Sequence, residues 1–280
     1  MREISHVYRT TCTTVTQPPG LGDYLRGSIA LAILSYEKGF TLHLDLSHHP
    51  IGRYLIRNPS FSTHTTEITE FFNDRVSLLP DYIDQIMDGQ HLALSTHLQP
   101  DITKINEHVR KTISEQFVFS EEIDIASSEI IKSITNDKYI IFHIRVSDDK
   151  IHSKYRNIPD LYSYLEKKLI PEWGNKIIVL SNNAEIKQVL STKYSLPFIN
   201  TGSVHLGSCD SKESDIRDTI IDFALMSNAS AIYSWSEYSW TSGFSTWCAC
   251  IFNIPYHSIR IKPKDFSDFF KFKKYFKSKS

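Results

Sequence analysis

Three short stretches of the chain carry the residue types that handle phosphates and protons. The first is the segment 17–30, QPPGLGDYLRGSIA, where two prolines stiffen the backbone before Gly20 and Gly22 permit tight turns and close contacts. Asp23 and Arg26 follow at the start of an apolar run. Such a loop can simply reverse the chain, or it can hold an anion and take up a proton. Taken with the two stretches below, it is interpreted as part of a catalytic cleft.

The second stretch, HIRVSDD at 143–149, lies where an apolar run ends. An unpaired guanidinium is costly to bury. Arg145 is therefore either paired with Asp148 or Asp149, or placed to grip a phosphate through two parallel hydrogen bonds. We favour the phosphate. His143 on its own is more typical of a hydrogen-bonded core histidine than of a catalyst.

The third stretch is 233–255, YSWSEYSWTSGFSTWCACIFNIP, in which the residues TSGFS at 241–245 are predicted to turn a strand into a helix. Hydroxyls and backbone N–H groups at a helix start attract anions, with help from the helix dipole. The alternative is simple N-capping by Thr241 or Ser242. Upstream, Asp218 and Asp222 are one helical turn apart, so they either accept hydrogen bonds from a ribose or base or only solvate their helix.

These stretches need strands and helices to bring them together, and the pattern predicts an α/β fold. Strands are predicted at 41–45, 139–145, 176–180 and 231–234. Helices are predicted at 25–36, 101–115, 121–135, 159–169, 184–193, 214–227 and 241–252, with Ser120 as an N-cap. This alternation favours parallel sheets with ligands at the carboxyl ends of the strands. Residues 50–80 have no clear assignment.

The length of 280 residues suits two α/β domains that face a cleft, predicted at 1–135 and 136–260. A basic, aromatic tail follows at 261–280. It is interpreted as a docked amphipathic helix, with attachment to an anionic membrane surface as the alternative. No other membrane contact is expected, because the apolar runs are too short to span a bilayer.

Bulk composition narrows the classes of protein further. A net charge of -1 argues against a general nucleic-acid binder. The four cysteines, Cys12, Cys209, Cys248 and Cys250, form no CxxC pair or disulfide framework, so free thiols in a reducing compartment are expected. With no apolar leader in MREISHVYRTTC, we expect a cytoplasmic protein.

The order of these motifs resembles the fucosyltransferase-like branch of the GT-B glycosyltransferases, which includes the nodulation, core and protein O-fucosyltransferases. The resemblance covers 17–45 and most of 139–255, through the G-x-G loop, the H-x-R strand end and an S-G-F-S turn. It implies a GT-B-like fold in which Arg145 holds the donor diphosphate. Two positions depart from the family pattern: Gly243 stands where a second serine is usual, and Asp23 where asparagine is common.

The same resemblance implies roles for the other residues of the motifs. Ser242, Phe244 and Ser245, with Gly243 between them, would surround the β-phosphate of the donor. His143 would contact the donor. Gly20, Gly22 and Arg26 would border the catalytic cleft.

In its length, its expected lack of a signal or membrane anchor and its Lys-, Ile- and Ser-rich composition, the chain also resembles chlorovirus-encoded β-xylosyltransferases that add xylose to fucose on a capsid glycan. That similarity implies UDP-xylose as donor and a fucose-containing oligosaccharide as acceptor, in the host cytoplasm if the chain is viral. GDP-fucose is the alternative donor. The non-enzymatic alternative is a glycan-binding protein on the same frame.

Sugar transfer requires a stabilised diphosphate and an activated acceptor hydroxyl. No D-x-D triplet occurs in the sequence, so cationic and backbone groups rather than a metal are expected to stabilise the diphosphate. Asp23 is predicted to take the acceptor proton, with Asp45 and Asp148 in reserve. The alternative is that Asp23 only favours the helix dipole. A P-loop NTPase, a G-x-S-x-G hydrolase and an H-E-x-x-H zinc enzyme are excluded by the missing motifs.

Overall fold

The first half of the chain forms a four-stranded parallel sheet. The computed structural model describes residues 1–15, 18–56, 67–135, 137–147, 159–202, 206 and 212–259. Its first sheet contains β1 (Arg2–Val7), β2 (Phe40–Asp45), β3 (Thr69–Phe71) and β4 (His91–Thr96). Their order in space is β2-β1-β4-β3, and every neighbouring pair is parallel.

Helix α1 (Leu21–Lys38) follows β1 and covers this sheet. Ten of its residues are buried, as a helix packed on a sheet requires. A Cβ atom at Gly27 would lie 2.2 Å from the carbonyl oxygen of Thr96, so α1 lies directly on the carboxyl end of β4. Gly39 ends the helix in the left-handed conformation, with φ of 67°, where glycine carries no steric penalty.

The second half repeats the architecture with another four-stranded parallel sheet. It contains β5 (Ile140–Arg145), β6 (Ile177–Ser181), β7 (Ala231–Ser236) and β8 (Tyr256–Ser258). The order is β6-β5-β7-β8, again with every pair parallel. Strand β5 lies between two neighbours with both faces covered, which explains its unbroken apolar run.

The remaining helices surround and join the two sheets. Their bounds are α2 (Leu79–Asp84), α3 (Glu107–Ser114), α4 (Glu121–Ile134), α5 (Pro159–Tyr164), α6 (Ile170–Trp173), α7 (Ala184–Tyr194), α8 (Glu213–Ser227) and α9 (Gly243–Ile251). A π-helical segment, Leu165–Leu169, connects α5 to α6. One apolar core runs from the first sheet through α1, α8 and α9 to the second sheet. A separate core fills the far side of the second sheet, under α5 and α7.

The predicted fold class is confirmed: the chain is α/β, with two Rossmann-like parallel-sheet units and a cleft between them. Several predicted boundaries differ. Helix α1 begins at Leu21 rather than residue 25, so Asp23 lies in its first turn. The helix predicted at 101–115 is a 3-10 turn (Ile102–Lys104) followed by α3, because the Asn106 side chain accepts a hydrogen bond from the Val109 N–H and starts a new helix.

The sequence predicted Ser120 as an N-cap residue, and the structure confirms its position but not the expected hydrogen bond. Ser120 is the N-cap residue of α4, but its hydroxyl makes no capping hydrogen bond.

Among the described residues, none of the helices combines the length and the apolar character that a membrane span requires. Cys12, Cys248 and Cys250 are free thiols. Cys209, the proposed ion-pair partners Asp148 and Asp149, the proposed boundary at residue 136 and the tail 261–280 lie outside the described residues.

Candidate functional site

A cavity of ≈ 460 Å³ opens between the two sheets, where the N-termini of α1 and α9 meet the carboxyl ends of β5 and β7. This is the position at which α/β sheets bind their ligands. The predicted site residues that line it are Gly20, Gly22, Asp23, Arg26, His143, Arg145, Asp222, Ser242, Gly243 and Phe244. Asp218 and Ser245 do not line it.

The two helix starts touch through their glycines. A Cβ atom at Gly22 would lie 2.7 Å from both the Gly243 carbonyl carbon and the Phe244 nitrogen, closer than real Cβ contacts allow. Only a residue without a side chain permits this approach. The first N–H groups of a helix have no partner within the helix, and the N-terminus carries a partial positive charge. Two such N-termini therefore border one cavity.

A buried carboxylate anchors the chain just ahead of the first loop. Glu70, on β3, accepts hydrogen bonds from the backbone N–H and the hydroxyl of both Thr13 and Thr14, and Arg9 donates another. Burial by itself would raise the pKa of Glu70, but the hydrogen bonds from Thr14 and Thr13 outweigh it and the pKa is lowered. Glu70 thus stays ionised and fixes the segment that leads into Pro18.

Asp23 and Arg26 form an ion pair at the edge of the cavity, with 3.0 Å between Arg26 Nη2 and Asp23 Oδ1. Arg26 also donates from Nε to the His97 carbonyl oxygen at 2.9 Å. The Asp23 side chain remains 46% exposed.

Arg145 occupies the last position of β5, and the chain just beyond it is held from both sides. The amide of Asn182, after β6, makes two 3.0 Å hydrogen bonds with the backbone of Val146. The carboxylate of Glu237, after β7, accepts from the N–H and hydroxyl of Ser147, and the Glu237 N–H donates to the Arg145 carbonyl oxygen. These contacts join three neighbouring strand ends.

The Arg145 side chain lines the cavity, with its guanidinium 5.8 Å from the centre of the Tyr238 ring. A cation over an aromatic face is attracted by the ring electrons. The arrangement leaves the guanidinium at the cavity wall, on a backbone fixed by Asn182 and Glu237.

His143 lies two residues earlier on β5 and is buried. Burial, helped by the positive charge of Arg145, lowers the pKa of His143 to about 3, so the ring is neutral at physiological pH. Its Nδ1 is 3.5 Å from the Ser234 hydroxyl, and its ring lies 6.1 Å from that of Phe244. A neutral imidazole at this place can donate or accept one hydrogen bond without adding charge beside the arginine.

The TSGFS turn divides its serines between two environments. Ser242 lines the cavity and, although it is the N-cap residue of α9, makes no capping hydrogen bond. Ser245 is fully buried, with its hydroxyl 3.2 Å from that of Ser234 and 3.4 Å from that of Tyr256. Ser245 therefore supports the turn from behind.

Asp222 and Asp218 also lie in different environments, because Asp222 lines the cavity and Asp218 does not. Asp222 is buried at the cavity and accepts a 2.7 Å hydrogen bond from the Thr201 hydroxyl, and the same threonine accepts from the buried Lys187. Burial lowers the pKa of Lys187, while Asp222 and Asp218 act in the opposite direction. Asp218 accepts from the Gly202 N–H at 2.8 Å and so holds the chain after α7.

Several lining residues were missed by the sequence analysis. They are Gln99, Asn182, Leu206, Tyr238, Trp240, Thr241, Thr246 and Trp247, among others. The dense aromatic run YSWSEYSWTSGFSTW is the one signal that could have revealed the tyrosine and tryptophans. Leu206 is tied to the first half because its carbonyl oxygen accepts from His49 Nε2 at 2.8 Å. Within the described residues, no group of three or more His, Cys, Asp or Glu side chains is arranged to hold a metal ion.

Comparison with known proteins supports the fold. No protein-family model and no curated protein sequence matches the chain. Among solved structures, it is similar to NodZ alpha-1,6-fucosyltransferase co-crystallized with GDP, at 12% identity and a TM-score of 0.53, over 88% of this chain and 91% of that one. NodZ structures from Bradyrhizobium are also among the matches.

Two further structures are similar over nearly the whole chain. A mutant of Arabidopsis thaliana FUT1 in complex with GDP matches at 10% identity and a TM-score of 0.54, over 94% of this chain and 71% of that one. POFUT1 in complex with GDP matches at 10% identity and a TM-score of 0.52, over 92% and 98% of the two chains. At this level of identity the likeness establishes the GT-B-like fold and nothing finer.

Proposed function

We propose that the chain is an inverting, metal-independent glycosyltransferase that transfers a sugar from a nucleotide-sugar donor. The observation that carries this proposal is that Arg145 and the N-terminus of α9 line the same cavity between two α/β units. A forked cation and a helix N-terminus together suit a diphosphate. The described solved structures with this fold bind GDP and are fucosyltransferases, which supports the choice of reaction class.

The leaving diphosphate is the group whose charge grows during transfer. The backbone of Arg145 and of the two residues after it is tied to neighbouring strand ends, so the guanidinium extends from a fixed point of the cavity when that charge develops. The first N–H groups of α9, at Gly243 and Phe244, supply further donors. His143 remains neutral and hydrogen-bonds the donor. In this mechanism no metal ion is required.

Asp23 takes the proton from the acceptor hydroxyl. It and Asp222 are the carboxylates among the described lining residues, and Asp222 is buried with its hydrogen bond from Thr201. Asp45, the reserve candidate, is buried and accepts from Ser47 instead of lining the cavity. Arg26 pairs with Asp23 at 3.0 Å, and because Arg26 lines the cavity it can assist the diphosphate once the pair opens.

For the donor and acceptor, we propose UDP-xylose and a fucose of a viral capsid N-glycan, which makes the chain a β-xylosyltransferase. This choice is supported by the resemblance of the sequence to chlorovirus xylosyltransferases. GDP-fucose is the second candidate, favoured by the GDP bound to the similar solved structures. In either case residues 1–135 form the acceptor side and 136–260 the donor side. The buried free thiols suit a reducing compartment, so we propose a cytoplasmic location, in the host if the chain is viral.

A thermal-shift panel tests the proposal. The protein is heated with UDP, UDP-xylose, GDP or GDP-fucose, each with and without EDTA, because a ligand that binds the folded state raises the melting temperature. A rise with UDP and UDP-xylose that survives EDTA is expected. A rise only with GDP and GDP-fucose moves the donor to the second candidate. A protein that binds none of the four, or binds only with a divalent ion, contradicts the proposal.

A further inference from the structure

Two aromatic rings form a stacked pair at the edge of the cavity. The rings of Tyr238 and Trp240 are 4.9 Å apart and inclined by 15°, and both line the cavity. Trp240 is 55% exposed, although a large apolar ring in water forgoes the gain from burial. The pair lies between β7 and α9, in the segment that ends at Ser242. An exposed aromatic ring that is held in place by a second ring can bind the apolar face of a ligand.

The pair adjoins the proposed diphosphate site. Tyr238 contacts Arg145 as well as Trp240, so one residue separates the cation from the exposed ring. Two residues after Trp240, Ser242 begins the turn into α9. A group that stacks on Trp240 is therefore in the same cavity as the proposed diphosphate site, with Tyr238 between the ring and the cation.

We propose that Trp240, backed by Tyr238, is the platform on which the acceptor sugar stacks. The proposal rests on the proposed function and names the part of the cavity that takes the second substrate. A pyranose ring has an apolar C–H face and a rim of hydroxyls, so it suits an aromatic face bordered by polar groups. Gln99, from the first half, and Thr241 supply such groups in the same cavity.

The position favours the acceptor over the nucleobase, which also stacks on aromatic rings. An oligosaccharide acceptor must extend back into solvent, and Trp240 is 55% exposed. The base and ribose instead need an enclosed place with hydrogen-bond acceptors. Asp222, which is 1% exposed and lies by Leu206 and Thr219, provides one.

The test compares Trp240→Ala with the matched variant Trp240→Phe, which keeps an aromatic face. Methyl α-L-fucoside is the acceptor probe, and the donor is the one identified by the thermal-shift panel. Losing one stacked ring is expected to raise KM for the fucoside about tenfold in Trp240→Ala, with most of the effect recovered in Trp240→Phe. The nucleotide-induced melting shift should match that of the unmodified protein if the ring binds only the acceptor.

Two results would overturn the platform. An unchanged KM in Trp240→Ala means that the acceptor lies elsewhere, and a weakened nucleotide shift in that variant means that the base occupies the ring. In both cases, transfer by the unmodified protein leaves the proposed function intact. If the protein binds methyl α-L-fucoside through Trp240 but turns over no donor, the platform survives and the transferase function fails.

Discussion

Arg145 and Arg26 face the same cavity from opposite halves of the chain, but they are held by different kinds of contact. Arg145 stands on backbone that Asn182 and Glu237 fasten to the neighbouring strand ends. Arg26 is held through its side chain, by Asp23 one helical turn away and by one carbonyl oxygen. An ion pair of partly exposed side chains contributes little free energy and opens easily.

The difference suggests a division of labour between the two walls. A cation that extends from a fixed backbone is suited to a charge that grows in the transition state. A carboxylate in a loose pair can exchange its partner for a substrate hydroxyl. We call the side of the cavity that carries Arg145 the donor wall and the side that carries Asp23 and Arg26 the acceptor wall. The donor wall is expected to be preorganised and the acceptor wall to be adjustable. The predictions below test each wall in turn.

The largest effect is expected for Asp23→Asn. The variant removes the proposed base and keeps the shape of the side chain, so transfer should fall by about 10²- to 10⁴-fold. Donor binding, measured by the nucleotide-induced melting shift, should stay close to that of the unmodified protein. Arg26→Gln is the control, because it breaks the same ion pair and leaves the carboxylate in place. Full transfer by Asp23→Asn would remove Asp23 from this role.

For Arg145→Ala we expect a smaller loss of activity, with both nucleotide affinity and the rate of sugar transfer reduced. Removal of one preorganised donor to a developing charge costs about 3 kcal/mol, or roughly 10²-fold in rate. Arg145→Lys keeps the charge without the planar fork and should recover only part of the loss. The assay combines kcat with nucleotide titrations. Unchanged nucleotide affinity in Arg145→Ala would disprove the diphosphate assignment.

The contact between the two helix starts is tested by replacing Gly22 and Gly243 with alanine in two separate variants. Gly22→Ala introduces a Cβ atom 2.7 Å from backbone atoms of α9, whereas a Cβ atom at Gly243 would lie 3.5 Å from its nearest neighbour. Overpacking of this kind costs about 1–3 kcal/mol. Alanine is otherwise favoured over glycine in a helix, so a lower melting temperature for Gly22→Ala reports the clash itself. Gly243→Ala is the control and should melt and transfer normally; equal damage in both variants would contradict this geometry.

Local patterns predicted the donor wall better than the acceptor wall. The unbroken apolar run of β5 gave its position and placed Arg145 at the strand end. Strand β1 was missed because its buried side chains include those of Ser5 and His6. These polar residues are buried because they hydrogen-bond to partners distant in sequence. The early start of α1 was missed because glycines disfavour helices, and the reason for Gly22 is a contact more than 200 residues away, with Gly243.

The same limit applies to the residues that hold and extend the site. Asn182 and Glu237 act on backbone atoms of other strand ends, and nothing in their own neighbourhood in the sequence marks them. The exposure of Trp240 is likewise a property of the folded chain. Sequence patterns identified groups that can bind a diphosphate, and the tertiary structure supplied their supports.

The last expected effect is a dependence of stability on pH, to which buried histidines in both halves of the chain contribute. Burial lowers the pKa of His6 to about 3, and burial with the charge of Arg145 lowers the pKa of His143 to about 3, from an ordinary 6.5. Between these values the unfolded chain binds protons that the folded chain does not. The free energy of unfolding should therefore fall as the pH falls below 6.5, by about 1.4 kcal/mol per pH unit for each histidine.

Urea unfolding at pH 7, 6 and 5 measures this slope above the range in which carboxylates titrate. Histidines with lowered pKa elsewhere, such as His49, add to it in the same direction. His6→Asn and His143→Asn should each reduce the slope by a similar amount, because both rings are neutral and buried although they lie in different halves of the chain. A stability that stays constant from pH 6.5 to 5 would mean that one or both rings are hydrated or paired with an acid. If only His143→Asn leaves the slope unchanged, the donor wall is more open than its hydrogen bonds imply, and the contrast between the walls weakens.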